Sequence, residues 1–290
     1  MLNQKNILVT GANGQLGSEF RVLSKQFPQY HFIFSPKEDL PIEDSKIVNQ
    51  YFDSQSFDFC INCAAYTHVD AAETEKEMAF RINAQAVENL AFACKAHAVQ
   101  FIHVSTDYVF DGTNKEGYTE TDATCPLNVY GASKLGGEIG AMKVNPQSII
   151  IRTSWVYSAF GKNFVKTMMR LMKEKASINV VDDQIGRPTY AADLANAIMN
   201  IIAKQDCWVP GIYHYANEGA ISWFEFAKEI KNLGGYNCDI HPIPSSAYPV
   251  PAKRPNYSIL KTEKIISTFH LAVPHWKDSL HKCMQLLLEQ

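Results

Sequence analysis

The chain has 290 residues, 46% hydrophobic and 20% charged, an ordinary balance for a folded globular protein with a sizeable core. Its 27 Lys and Arg stand against 30 Asp and Glu, and a net charge of -3 leaves no basic excess for nucleic acid or an anionic membrane. Met1 to Asn6 lead straight into Ile7-Leu8-Val9 without a leader-like stretch, and no apolar run could span a bilayer, so a cytoplasmic protein is expected.

The first predicted strand, Asn6 to Thr10, runs into Gly11-Ala12-Asn13-Gly14-Gln15-Leu16-Gly17. A helix follows, with Leu16, Phe20, Leu23 and Phe27 on one face, ending near Pro28. Glycines between a strand and a helix allow a tight turn, let backbone approach a pyrophosphate, and permit close helix–strand packing. The phosphates then sit at the positive helix end. Gly11, Gly14, Gln15, Leu16 and Gly17 are therefore candidate dinucleotide contacts. The Lys-Ser/Thr ending of a nucleoside-triphosphatase loop is absent.

A second strand, His31 to Phe34, ends in Ser35-Pro36-Lys37, with Glu38 and Asp39 just beyond. A carboxylate ending this strand would bind the ribose 2′-hydroxyl of NAD. A hydroxyl and a cation tolerate a 2′-phosphate instead, which favours NADPH, with NADH as the alternative and Asp39 as the acidic candidate for the ribose. The next strand, Phe59 to Cys63, carries the Cys60-x-x-Cys63 pair, one of few spacings among seven scattered cysteines. In a strand, positions i and i+3 face opposite ways, and no second pair completes a metal site, so reduced core thiols are expected.

A long helix is predicted from about Glu75 to Ala98, with Met78, Ile82, Ala86 and Leu90 at four-residue spacing. The strand Phe101 to Ser105 ends in Thr106-Asp107-Tyr108, and ligands of open parallel sheets bind beyond such ends. The helix beginning near Val129 sets Tyr130 and Lys134 at i and i+4 on one face. A phenol titrates near ~10, and a neighbouring cation favours its ionised form, making it a usable proton relay. Tyr257 and Lys261 repeat the spacing in a Pro-rich stretch without an adjoining cofactor strand, so that pair reads as incidental.

A strand over Ser148 to Arg152 closes the first half. Helical stretches at 164–175, 190–204 and 222–233 follow, with prolines 242, 244, 249, 251 and 255 in one irregular region. The expected fold is α/β, a Rossmann-like doubly wound parallel sheet with a smaller C-terminal substrate-binding lobe. Residues 1–153, with 189–215 returning, would form the dinucleotide-binding domain, and 154–188 with 216–290 the lobe.

The chain resembles the dTDP-4-dehydrorhamnose reductase family of extended short-chain dehydrogenases/reductases across its length. The resemblance rests on Gly11–Gly17, Tyr66–Glu73, Ser105–Gly112, Tyr130–Lys134 with Leu135, Gly137 and Glu138, Arg152–Tyr157, Asp183–Thr189 and Arg254–Leu260. It implies hydride delivery from NADPH or NADH to C4 of a dTDP-linked keto-sugar. Tyr130 would protonate the alkoxide, Thr106 would hold the same oxygen, and Lys134 would tune Tyr130 and bind the nicotinamide ribose. Ala64, Ala65 and Thr67 match cofactor-lining positions, and Thr106, Asp107 and Trp155 match positions contacting the sugar nucleotide. Some members are metal-linked homodimers; Glu19 matches one such acidic position, the others are not placed in this sequence, and no metal is expected.

Related enzymes share the core. Sugar-nucleotide dehydratases follow the strand-end Thr with Asp-Glu, whereas Tyr108 stands here, and epimerases carry a Ser-Ser pair. The regulatory β subunit of methionine adenosyltransferase is a non-catalytic relative, against which Thr106, Tyr130 and Lys134 favour an enzyme.

Overall fold

The computed structural model describes residues 4–204 and 208–289. Five strands, β1 (Lys5–Thr10), β2 (Tyr30–Ser35), β3 (Phe59–Asn62), β4 (Gln100–Thr106) and β5 (Ile149–Thr153), join Gly211–His214 in one sheet. Its order is Gly211–His214, β5, β4, β3, β1, β2, and every pair is parallel. Parallel strands are covered on both faces, which is why Ile7-Leu8-Val9 is apolar without alternation and fully buried.

The helices in chain order are α1 (Gln15–Leu23), α2 (Ser45–Ser54), α3 (Val69–Ala72), α4 (Lys76–Phe80), α5 (Ala86–Ala96), α6 (Val129–Val144), α7 (Phe164–Glu174), α8 (Ala191–Ala203), α9 (Trp223–Gly234), α10 (Glu263–Phe269) and α11 (Trp276–Leu288). Ile7 and Val9 meet α1 and α8 through Leu16, Phe20, Leu194 and Ile198. Leu8, Cys60 and Phe101 point the other way, onto Val48 and Phe52 of α2 and Leu90 and Cys94 of α5. This is the doubly wound arrangement the sequence predicts.

The helix expected from Glu75 to Ala98 runs unbroken from Lys76 to Ala96 but is not α-helical throughout. A π-helical turn, Arg81–Gln85, separates α4 from α5, and α5 ends at Ala96. Its cause is Asn83, fully buried, whose side chain takes the Tyr66 N–H at 2.8 Å and donates to Tyr66 O and Ser133 Oγ at 3.0 Å each. The Asn83 carbonyl meanwhile presses onto Gly137 of α6, where any Cβ would collide with it. An extra residue in the turn satisfies both demands.

In the C-terminal part, α7, α9 and α11 pool Met168, Met172, Phe226, Ile230, Leu280 and Met284 into a separate core. Asp239–Ile243 pairs in parallel with Ser177–Val181, so part of the Pro-rich region is a strand. Pro242 is tolerated because this is a two-stranded sheet with free edges.

Candidate active site

A cleft of about 840 Å³ opens beyond the C-terminal ends of β1, β3, β4 and β5, the expected place for a ligand of such a sheet. Gly11 sits at φ +62°, and a Cβ there would stand 2.6 Å from the Ala64 backbone nitrogen. A side chain would thus both strain the turn and fill the space between two strand ends. Gly14 begins α1 with no side-chain cap, which leaves the positive helix end open to an anion.

Gly11, Gly14, Gln15 and Leu16 line the cleft, as do Ala64, Ala65 and Thr67 from the segment after β3. Gly17 does not; it lets α1 lie against Ala12, whose Cα would be 2.6 Å from an added Cβ. Asp39 is exposed and lies outside the lining, which takes Lys37 and Glu38 from that loop. Lys37 is held 3.4 Å from Glu43.

Thr106, Asp107, Tyr130 and Lys134 come together in the same cleft. The placement follows from helix docking. Asn128 caps α6 by accepting the Gly131 N–H at 2.7 Å, and Gly131 lies against the Tyr108 carbonyl too closely for any side chain. Glu138, one turn past Lys134, takes a bidentate bond from buried Arg152 at 2.7–3.1 Å and one from Ser105 Oγ. Ser105 therefore helps secure α6 while lining the cleft.

The Tyr130 hydroxyl lies beside Thr106, which favours the ionised phenol. The Thr106 hydroxyl donates to Asp107 Oδ1 at 3.1 Å and accepts the Tyr108 N–H at 3.2 Å. Burial pushes Tyr130 up to about 12, against the lowering effect of Thr106. Burial likewise pushes Asp107 up to about 7, outweighing hydrogen bonds from Ser258 and Thr106. Asp107 is 2% exposed, and its Oδ2 is buried without a hydrogen-bond partner. Burial draws Lys134 down to about 8, although Glu138 and Cys63 favour its charge.

The lobe side of the cleft is aromatic. Trp155, held at φ +46°, stacks on Trp223 with ring centroids 3.5 Å apart. Gly186 leaves room for the Trp155 indole, 2.7 Å from where its Cβ would be. Trp223, Cys63, His68 and the Gly161-Lys162 turn also line the cleft and were not among the predicted residues. Gly161 packs on Gln15, and Asn163 Nδ2 donates to Gln15 Oε1 at 2.9 Å, tying this loop to α1. Glu19 belongs to the same tie, accepting Ser158 Oγ at 2.6 Å in a buried setting. Among the described residues, no group of three or more His, Cys, Asp or Glu could hold a metal.

Two of the motifs form a clasp instead of a lining. Ile185 N–H donates to Asn256 O at 2.7 Å, and Ser258 N–H returns to Ile185 O at 2.8 Å. Arg254 makes a bidentate pair with Asp70 at 3.0 and 2.8 Å, fastening this segment to α3. Tyr257 and Lys261 lie in that clasp, outside the cleft. Cys60 is buried under α5 while Cys63 reaches the cleft, where burial pushes its thiol up. The described cysteines are free; Cys207 lies outside the described residues.

Residues 5–289 match the family described as the RmlD substrate binding domain. A dTDP-4-dehydrorhamnose reductase of Burkholderia thailandensis is 39% identical over 98% of this chain and 99% of its own. The Escherichia coli dTDP-4-dehydrorhamnose reductase is also 39% identical, over 97% and 98%. The crystal structure of dTDP-4-dehydrorhamnose reductase from Bacillus anthracis in complex with NADP superposes with a TM-score of 0.93. It is 38% identical and covers 99% of this chain and 100% of its own.

Proposed function

The chain belongs to the RmlD substrate binding domain family, and from that premise we propose how its cleft performs the family's reaction. The protein is an oxidoreductase that reduces the C4 ketone of dTDP-4-dehydro-L-rhamnose to dTDP-L-rhamnose, with NADPH supplying the hydride. The observation that carries the assignment of roles is the Tyr130–Thr106 hydroxyl pair at the end of β4, with Lys134 one turn further along α6.

Thr106 holds the ketone oxygen by turning its hydroxyl from Asp107 to the substrate. Tyr130, beside the same hydroxyl, delivers the proton as that oxygen becomes an alkoxide. Burial leaves the phenol a poor acid. The Lys134 ammonium offsets this and binds the nicotinamide ribose. Gly11, Gly14, Gln15 and Leu16 present backbone to the pyrophosphate, Ala64, Ala65 and Thr67 flank the cofactor, and Lys37 is the cation nearest a 2′-phosphate. Asp39, exposed on the same loop but outside the cleft lining, remains the acidic candidate for the ribose.

The unpartnered Asp107 Oδ2 would accept a sugar hydroxyl once Thr106 turns to the substrate, and Trp155 with Trp223 would cover the sugar nucleotide. We read 1–153 with 189–215 as the cofactor domain and the remainder as the substrate lobe. Gly211–His214 in the sheet and α8 on its face support that division. Cytoplasmic residence belongs to the same reading, supported by free thiols among the described cysteines, and a homodimer is the assembly the family resemblance carries. No described helix is long and apolar enough to cross a membrane.

The test is turnover with dTDP-4-dehydro-L-rhamnose. One equivalent of NADPH should be oxidised per sugar, and NADPH should serve at least as well as NADH. Absence of any sugar-dependent oxidation with either cofactor would overturn the reading.

A further inference from the structure

Beneath the cleft, a line of buried polar groups crosses the sheet to Lys134. Thr10 on β1, Asn62 on β3 and His103 on β4 are each fully buried next to the apolar runs Ile7–Val9, Phe59–Ile61 and Phe101-Ile102. The Thr10 hydroxyl donates to Asn62 Oδ1 at 2.7 Å, and the Ala64 backbone N–H donates to the same oxygen at 3.1 Å. Asn62 Nδ2 lies 3.0 Å from His103 Nδ1, and His103 Nε2 lies 3.2 Å from Lys134 Nζ. Nζ also donates to the Val104 carbonyl at 2.7 Å. Apolar side chains would build these strands more cheaply.

The donors along this line determine where the protons sit. A backbone N–H can only donate, so the Asn62 oxygen must face Ala64 and its amide nitrogen must face His103. Nδ1 is then the acceptor, and a neutral ring carries its proton on Nε2, toward the lysine. Burial, reinforced by the Lys134 charge, keeps that ring neutral by driving its proton affinity well down. An Nε2–H set against an ammonium opposes donor to donor. Set against a neutral amine, it bonds to the lone pair.

We propose that His103, fixed in its Nε2–H tautomer by Asn62, is a positioning residue that lowers the proton affinity of Lys134 and aims its Nζ. The proposal rests on the role given to Lys134 above, although the tautomer itself does not. The other groups facing Nζ act in the opposite sense. Cys63 at the end of β3 and Glu138 on α6 favour the ammonium, with Glu138 already engaged by Arg152 of β5 and Ser105 of β4. Tyr130 on α6 shares the cleft with the lysine and is un-ionised at neutral pH. Burial outweighs both Cys63 and Glu138 and draws the lysine down to about 8, and the His103 Nε2–H would act in the same direction, so the ammonium that tunes Tyr130 is lost just above neutrality.

Two measurements decide it. Long-range ¹H–¹⁵N correlation on the ¹⁵N-histidine enzyme, free and with NADPH, reads the tautomer directly, with His103→Gln identifying the signal among nine histidines. A protonated Nε2 and a bare Nδ1 are expected; protonation at Nδ1 overturns the proposal. The second is the alkaline limb of kcat/KM against pH. Asn62→Asp keeps an acceptor for Ala64 and Thr10 but offers His103 oxygen, demanding the other tautomer. The limb should then rise by about one pH unit or more, a tenfold gain in lysine proton affinity. His103→Gln, which can present an N–H near the Nε2 position, should keep the limb close to that of the native enzyme. A flipped tautomer with an unmoved limb also overturns the proposal. Should Asn62→Asp fail to fold, the native tautomer decides alone. An enzyme without turnover would defeat the reductase reading while leaving the tautomer measurable.

Discussion

Two tyrosine–lysine pairs with the same i, i+4 spacing lie in this chain, and their surroundings have almost nothing in common. Tyr130 and Lys134 share the first turns of a helix docked on the end of β4, where phenol, hydroxyl and carboxyl are linked and burial disturbs each proton affinity. Tyr257 and Lys261 lie in an extended clasp that bridges Ile185 and Tyr118 through backbone, with the Tyr257 ring packed under Lys115 at 5.5 Å. Even the carboxylates beside them behave oppositely. Asp107 is pushed up by burial, whereas the Arg254 hydrogen bond holds Asp70 down. Spacing brings two groups together; the strand end and the desolvation give them chemistry.

The comparison breaks most visibly if Tyr130→Phe retains activity. Removing the proton donor should cost about 100- to 10,000-fold in kcat, with NADPH affinity, measured by fluorescence titration, nearly unchanged. Next in size, Gly11→Ala forces a side chain into a left-handed turn against Ala64. It should destabilise the fold by roughly 1–3 kcal/mol. It should also weaken NADPH by about tenfold or more, for which ~1.4 kcal/mol suffices. Wild-type affinity in this variant would show that the turn does not approach the pyrophosphate.

Asp107→Asn sharpens the contrast through stability. The free carboxyl ionises near 3.8 and the buried one near about 7, so the folded state is penalised increasingly as pH rises between those values. The asparagine variant should therefore melt higher than the native protein at pH 8, with the gain fading below pH 4. An equal or lower Tm at pH 8 would mean that the carboxylate is better solvated than its burial implies. The smallest effect belongs to Tyr257→Phe, which should change kcat/KM and stability by no more than about 0.5 kcal/mol. A loss comparable to that of Tyr130→Phe would erase the distinction between the two pairs.

What was legible follows from which demands are local. The glycine turn, the Thr at a strand end and the Tyr–Lys helix are requirements on residue type within a few positions, and each was readable. Helix α2 was not. Its buried stripe is only Val48 and Phe52, although Asp44, which accepts the Lys46 and Ile47 N–H groups, marks its start. The π turn at Asn83 was hidden because it answers to Tyr66, Ser133 and Gly137, residues distant in sequence. Trp223 enters the cleft from a helix whose pattern reads as ordinary core. Asp39 lies outside the cleft lining, which takes Lys37 and Glu38 from the same exposed loop. Asn62 and His103 did carry a signal, namely polar residues within the runs Phe59-Cys60-Ile61 and Phe101-Ile102, where a buried polar group requires a partner.

The central claim is that the strand-end Thr-Asp-Tyr site with Tyr130 and Lys134 reduces a ketone and does not eliminate water. It is tested most directly by turnover of dTDP-4-dehydro-L-rhamnose with NADPH deuterated at the transferring position of the nicotinamide, followed by NMR of the sugar. The account predicts deuterium at C4 alone, in step with NADPH consumed, and no label in the Tyr130→Phe reaction over the same period. Deuterium at C5 or C6, or conversion of dTDP-glucose to a 4-keto-6-deoxy sugar by the protein with NAD, would contradict it.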